Sequence, residues 1–215
     1  MTRFGLTMLG LAAVLVSLGA AVGAGSEEKP MSDAQREEFL KAFNRTGMDT
    51  TPGDAMLLRI LVEASGAKRG VEVGSYKGFG AMNMGIAFER TGGRLDTIEI
   101  NADTADACRE NLRTVGLQET VTCITGDALK VLPTLEGQVD FVFIDAKKSD
   151  YIRYLKALEP KLVPGAVIVA DNTIRYAGAM RDFLDYLHES PDYDCLTLRA
   201  SMEKKDGMTV AYKIR

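Results

Sequence analysis

The chain has 215 residues, 46% of them hydrophobic and 26% charged, which is enough to fold around one core and too apolar for disorder. Its 26 Lys and Arg against 30 Asp and Glu give a formal charge of −4, so no nucleic-acid partner is expected. A single histidine, His188, and three widely spaced cysteines, Cys108, Cys123 and Cys195, argue against zinc chemistry, a Ser-His-Asp triad and a disulfide framework.

Residues 4–25 carry no charge; Arg3 precedes them and a polar stretch from Ser26 to Pro30 follows. A basic start, an apolar run and a small-residue end read as a secretory signal peptide. The run of 22 residues also has the length of an uncleaved membrane anchor. The expected organisation is residues 1–24 as signal peptide or anchor, 25–47 as linker and N-terminal helix, and 48–215 as the functional domain. The charge ahead of the apolar run places the domain outside the membrane, exported or anchored through residues 4–25.

Ser32-Asp33 caps a helix running to about Asn44, with Phe39, Leu40 and Phe43 on one face. Thr46–Asp49 breaks it, and Thr51-Pro52 starts a second helix with Pro at its first position. Short β-branched runs then predict strands over 70–73, 95–100, 121–124, 139–144 and 166–170. Between and after them, helical patterns fall at 79–90, 103–115, 127–132, 150–162 and 176–188. Two last strands, 194–199 and 208–214, are joined by Lys204-Lys205-Asp206-Gly207, read as a turn. The fold class is α/β: a doubly wound, seven-stranded, mostly parallel sheet with a C-terminal antiparallel hairpin and helices on both faces.

In such sheets ligands bind beyond the carboxyl ends of the strands. After the first strand, Glu72-Val73-Gly74-Ser75-Tyr76-Lys77-Gly78-Phe79-Gly80 spaces its glycines as GxxxGxG, not GxGxxG. A carboxylate at Glu72 suits an amino-bearing ligand and disfavours a pyrophosphate. Glu99, ending the second strand, lies 19 residues past Gly80, near the offset at which an acid meets ribose hydroxyls. Asp127, in Gly126-Asp127-Ala128, reads as a helix N-cap that can also receive an adenine amino group. The fourth strand runs into Asp145 and the fifth into Asp171-Asn172. Two carboxylates and an amide at one edge offer oxygen ligands to a hard cation such as Mg²⁺. Each is also a plausible cap taken alone. Lys148, three residues past Asp145, reads either as a base or as a solvated lysine at a helix start.

Jointly these motifs resemble the cation-dependent O-methyltransferases, the class I group that includes catechol and caffeoyl-CoA O-methyltransferases, over the chain from about Met48 to Ile214. The resemblance implies a Rossmann-like methyltransferase domain over 48–215, with S-adenosyl-L-methionine as cofactor and Mg²⁺ or another divalent cation. It implies that Glu72, Gly74, Ser75 and Gly80 hold the methionine half, with Met48 and Thr50 closing over it. Glu99 would bind the ribose, Gly126, Asp127 and Ala128 the adenine, and Asp145 would lie at the junction of cofactor and metal. Asp145, Asp171 and Asn172 would ligate the metal, and Lys148 with Asp145 would carry the catalysis. The implied acceptor is a small phenolic with adjacent hydroxyls, and the implied strand order is 3-2-1-4-5. A homodimer is compatible with this reading.

The chain departs from the catechol enzymes in having Ala146 and Lys147 where those carry His and Trp, Ala200 where they place an acid, and Gly80 where a small polar residue is expected. Two other classes stay open at this level. One is a nicotinamide-dependent oxidoreductase, disfavoured by the missing GxGxxG; the other is a non-catalytic exported scaffold that binds a nucleoside. The expected leader bears on the second, because S-adenosylmethionine is made in the cytosol; a cytosolic domain on an inverted anchor is the remaining arrangement.

Overall fold

The computed structural model describes Met1 and residues 31–215, so residues 4–25 and the signal or anchor expectation lie outside the described residues. Among the described residues, no helix is long and apolar enough to cross a membrane.

Helix α1 (Asp33–Ala42) opens on a capping box: Ser32 Oγ accepts from the Gln35 amide at 3.4 Å and Gln35 Oε1 accepts from the Ser32 amide at 2.9 Å. Its Arg36 is buried, donating to the Val115 carbonyl at 2.8 Å and to Glu89 at 2.5 Å, which fastens α1 to the domain. Helix α2 (Pro52–Ser65) starts as expected, with Thr51 as N-cap and Pro52 at the first position, and ends on Gly66 at φ 65°.

From there strand and helix alternate: β1 (Arg69–Val73), α3 (Phe79–Thr91), β2 (Arg94–Glu99), α4 (Ala102–Thr114), β3 (Val121–Thr125), α5 (Ala128–Val131) and β4 (Val139–Ile144). Then follow α6 (Tyr151–Leu158), β5 (Leu162–Ala170), α7 (Arg181–Glu189), β6 (Tyr193–Leu198) and β7 (Met208–Lys213). The seven strands lie in the order β3-β2-β1-β4-β5-β7-β6, with β7 antiparallel to both its neighbours. This is the expected doubly wound, Rossmann-like sheet, and its order reverses between β1 and β4. Alternation along the strands builds two cores. Phe141 and Phe143 face Phe88 and Met82 of α3, while Val142 and Ile144 face Tyr151 and Leu155 of α6 and Phe183 of α7.

Three boundaries differ from the sequence reading. The helix expected over 150–162 stops at Leu158, because Pro160 cannot continue it, and β5 already begins at Leu162. The helix expected over 176–188 starts as a single tight turn, Ala177–Met180, before α7. The tetrapeptide Lys204–Gly207 is not a simple hairpin turn. The strands stop pairing at Leu198–Met208, and the whole of 199–207 folds back over the carboxyl edge of the sheet.

At that edge β1 and β4 approach so closely that a Cβ on Gly74 would lie 2.2 Å from the Asp145 carbonyl oxygen, and Gly74 has φ +94°. Gly74→Ala should therefore destabilise the chain by about 3 kcal/mol, from left-handed strain and backbone overlap together. Urea unfolding of the two chains checks this, with Gly137→Ala as control: it shares the positive φ (+82°) but has open space around it.

Candidate active site

A cleft of about 1270 Å³ lies over the carboxyl ends of the parallel strands. It gathers Met48, Thr50, Gly74, Ser75, Glu99, Gly126, Asp127, Ala128, Asp145, Lys148, Asp171 and Asn172, twelve of the fourteen residues picked from the sequence. Glu72 and Gly80 are not on its wall; they sit one layer beneath, both buried.

The first half is built on β1, β2 and β3. The turn after β1 passes through Gly74 at φ 94° and Tyr76 at φ 48°, a conformation that is rare for an aromatic residue. It aims the Tyr76 amide at Glu99 Oε2 (2.8 Å), while Glu99 Oε1 accepts from the Asn101 amide at 2.9 Å. Two backbone donors thus fix the carboxylate plane of Glu99 and leave each oxygen with capacity to accept a hydroxyl. Ser75 contributes to this wall, with its Oγ buried beneath it. Asp127 does act as the N-cap of α5, its Oδ1 accepting from the Leu129 amide at 3.0 Å. A glycine turn beside an amide-held carboxylate fits a nucleoside with an amino-acid extension.

Glu72 lies on the sheet face packed by α3, beside Phe143 on the neighbouring strand. Burial pushes its carboxyl up to about 8; a 2.5 Å hydrogen bond from Thr97 pulls the other way, and the charges of Cys123, Asp145 and Glu99 add to the rise. Its Oε1 lies 2.9 Å from where a side chain on Gly80 would begin, and Thr50 Oγ1 lies 3.2 Å from that point. Gly80 is therefore the residue that Glu72 and Thr50 leave room for, which explains the departure at this position.

The second half stands on β4 and β5. Ile144 pairs with Ala170, and the Asp171 amide donates to the Ile144 carbonyl at 3.0 Å, so Asp145 and Asp171 leave adjacent strands side by side. Burial, and then the Asp145 charge, push the Asp171 carboxyl up to about 6 against the pull of Lys204. Lys148 Nζ donates to Asp145 Oδ1 at 2.8 Å and to the Tyr151 hydroxyl at 3.0 Å; that hydroxyl donates to the Asp171 carbonyl at 3.2 Å. Asn172 adopts φ 62°, and its Nδ2 donates to Asp206 Oδ2 at 3.2 Å, which leaves its amide oxygen as the free acceptor. No cluster of three or more His, Cys, Asp or Glu side chains that could hold a metal occurs among the described residues. The donor set is two carboxylates and an amide, all oxygen, and the mutual repulsion of the carboxylates is relieved by a cation. That chemistry fits a hard divalent ion.

Three groups at this edge were not singled out by the sequence reading. Asp206 Oδ1 accepts from the amides of Ile174 (3.2 Å), Arg175 (2.9 Å) and Gly207 (2.8 Å), which shapes the loop carrying Asn172 and depresses the Asp206 carboxyl against the opposing effect of burial. Lys204 reaches Asp171, and Asp54 at the start of α2 reaches Lys204. The adjacent lysines of the Lys-Lys-Asp-Gly stretch were the available signal, because a tight turn has no need of them.

Because Glu72 is neutral in the folded chain up to about pH 8 but titrates near 4.5 when unfolded, the folded state binds more protons across that window. Stability of the ligand-free chain should fall as pH rises from about 4.5 to about 8, by at most about 5 kcal/mol. Glu72→Gln should remove most of that fall, as measured by urea unfolding between pH 5 and 8.5.

Residues 23–187 match the family model described as O-methyltransferase. The chain is 35% identical over 147 residues to the catechol O-methyltransferase of Mycobacterium tuberculosis, covering 68% of this chain and 63% of that protein. It is 33% identical over 132 residues to the catechol O-methyltransferase of Niastella koreensis, covering 60% and 59% of the two. The match thus spans less than two thirds of the length of these relatives. Among solved structures, the O-methyltransferase from Bacillus cereus in complex with SAH superposes with a TM-score of 0.73 at 27% identity, over 85% of this chain and 92% of that one. With the family model matching most of the chain and the sheet order and strand-end residues as described, the chain belongs to the O-methyltransferase family.

Proposed function

We propose that the chain is an S-adenosylmethionine-dependent O-methyltransferase that uses a divalent cation, Mg²⁺ first among them, and acts on a small phenolic with adjacent hydroxyls. The observation that carries this reading is one cleft that joins an amide-held carboxylate, Glu99, to a pair of carboxylates with an attendant lysine, Asp145, Asp171 and Lys148. Support also comes from relatives named for catechol and from a related structure solved with SAH.

In this reading Glu99 accepts from the ribose hydroxyls, and the Gly126–Ala128 backbone contacts the adenine. The Gly74-Ser75 turn receives the methionine half. Glu72, protonated at neutral pH without a ligand, gives up its proton to face the ligand's ammonium. Met48 and Thr50, in the loop before α2, flank that half of the cleft. A divalent ion held by Asp145, Asp171 and the Asn172 amide oxygen would supply charge stabilisation for an ionised acceptor hydroxyl. Lys148, its Nζ held by Asp145 and Tyr151, is the group placed to take the proton of that hydroxyl. Methyl transfer from a sulfonium is an in-line displacement, so what the chain contributes is alignment of two bound partners. The proposal includes export or membrane anchoring through residues 4–25, on the sequence of that segment alone; fractionation of cells making the full chain tests it.

Methylation of a panel of catechols and hydroxycinnamates, with Mg²⁺ and with chelator, tests the activity directly. Asp171→Ala should lower Mg²⁺-dependent turnover by about 10²-fold or more, while S-adenosylmethionine binding by calorimetry survives. Unchanged turnover in that variant would remove the metal role of Asp171.

A further inference from the structure

We propose that Lys204 is a tethered competitor of the divalent cation: its ammonium occupies Asp171, and the metal binds only as Lys204 leaves. The inference deepens the cation-dependent reading above and rests on it.

Lys204 Nζ lies 2.9 Å from Asp171 Oδ1, 2.7 Å from Asp171 Oδ2 and 2.9 Å from Asp54 Oδ2. Lys204 donates to both oxygens of Asp171 and pairs with Asp54 as well, so both oxygens of Asp171 face a cation already. Asp171 is 2% exposed and Asp54 is fully buried, so the attraction between the ammonium and the carboxylates is weakly screened.

The tether is held from outside the donor set. Asp54 belongs to the first turn of α2, where Thr51 Oγ1 donates to its Oδ2 at 2.8 Å. Arg45 pairs with Glu203 through two contacts, 3.1 and 3.2 Å. A Cβ on Gly53 would lie 2.7 Å from the Ala200 carbonyl oxygen, so the 199–207 backbone is pressed onto α2. These contacts hold Lys204 near Asp171 at high local concentration, and displacement competes with them at every binding event.

A site available for only a tenth of the time binds tenfold more weakly than its intrinsic affinity. The test is Mn²⁺ binding to the full chain, read from the free-ion electron paramagnetic resonance signal, in wild type, Lys204→Met and Lys204→Arg. The proposal expects Lys204→Met to bind Mn²⁺ at least tenfold more tightly, with Lys204→Arg near wild type. Equal or weaker binding by Lys204→Met overturns this inference and leaves the metal reading standing. Binding by none of the three removes the metal reading, and the inference with it. Should Lys204→Met not fold, acetylation of Lys204 in the wild-type chain, followed by peptide mass spectrometry, decides the matter. Mg²⁺ should raise its labelling, and unchanged or reduced labelling overturns the proposal.

Discussion

Strands β4 and β5 run parallel and in register at their carboxyl ends, and each is followed directly by an aspartate. That register forces two carboxylates onto one edge, where burial and mutual repulsion raise the proton affinity of Asp171. An arrangement of this kind persists only with cations near it. The surrounding groups follow from that demand: Lys148 is on Asp145, Lys204 on Asp171, and the buried Tyr151 hydroxyl bridges Lys148 to the Asp171 carbonyl. Asp206 does not join the pair. Backbone amides and Asn172 hold it down as a carboxylate, and its work is to shape the loop that presents Asn172.

The other half of the cleft is tied to this one through backbone as well as charge. Gly74 lies against the Asp145 carbonyl, closer than any side chain permits, so the turn beneath the methionine half of the proposed cofactor and the first metal-ligand candidate share one contact. Glu72 extends the tie below the cleft floor, where its carboxyl feels the Asp145 charge. A carboxyl that is neutral without a ligand lowers the cost of keeping it buried beneath an empty site.

Much of this was legible in the sequence because the sheet writes its own pattern. β-branched runs fixed the five parallel strands, and a polar residue just past such a run has nowhere to go but the carboxyl edge. Glu99, Asp145 and Asp171 were found in that way. Pro160 ends α6 early, a local rule that the hydrophobic period over 150–162 overrode. The segment 199–207 was misread for a different reason. Its conformation is set by long-range partners, Arg45, Gly53, Asp54 and Asp171, none of which leaves a mark on the local spacing of Lys204-Lys205-Asp206-Gly207. Asp54 was equally silent, since an acid at the third position of a helix is explained by its cap alone.

One departure from the catechol enzymes falls in that same segment. Position 200 holds alanine, and its carbonyl is packed against Gly53, so no acid projects from there into the cleft. Of the two acids in this loop, Asp206 is held by backbone amides and Glu203 is turned to Arg45. Beyond Asp145, Lys147 points outward and pairs with Asp150 at 3.0 Å, where the related enzymes carry an aromatic residue two positions on. The Arg45–Glu203 pair thus joins two separate segments at the cleft, while the Lys147–Asp150 pair stays within one turn. In the proposed reaction the 199–207 segment, through Lys204, occupies the position that the cation must take, and its docking rests on Arg45 and Asp54.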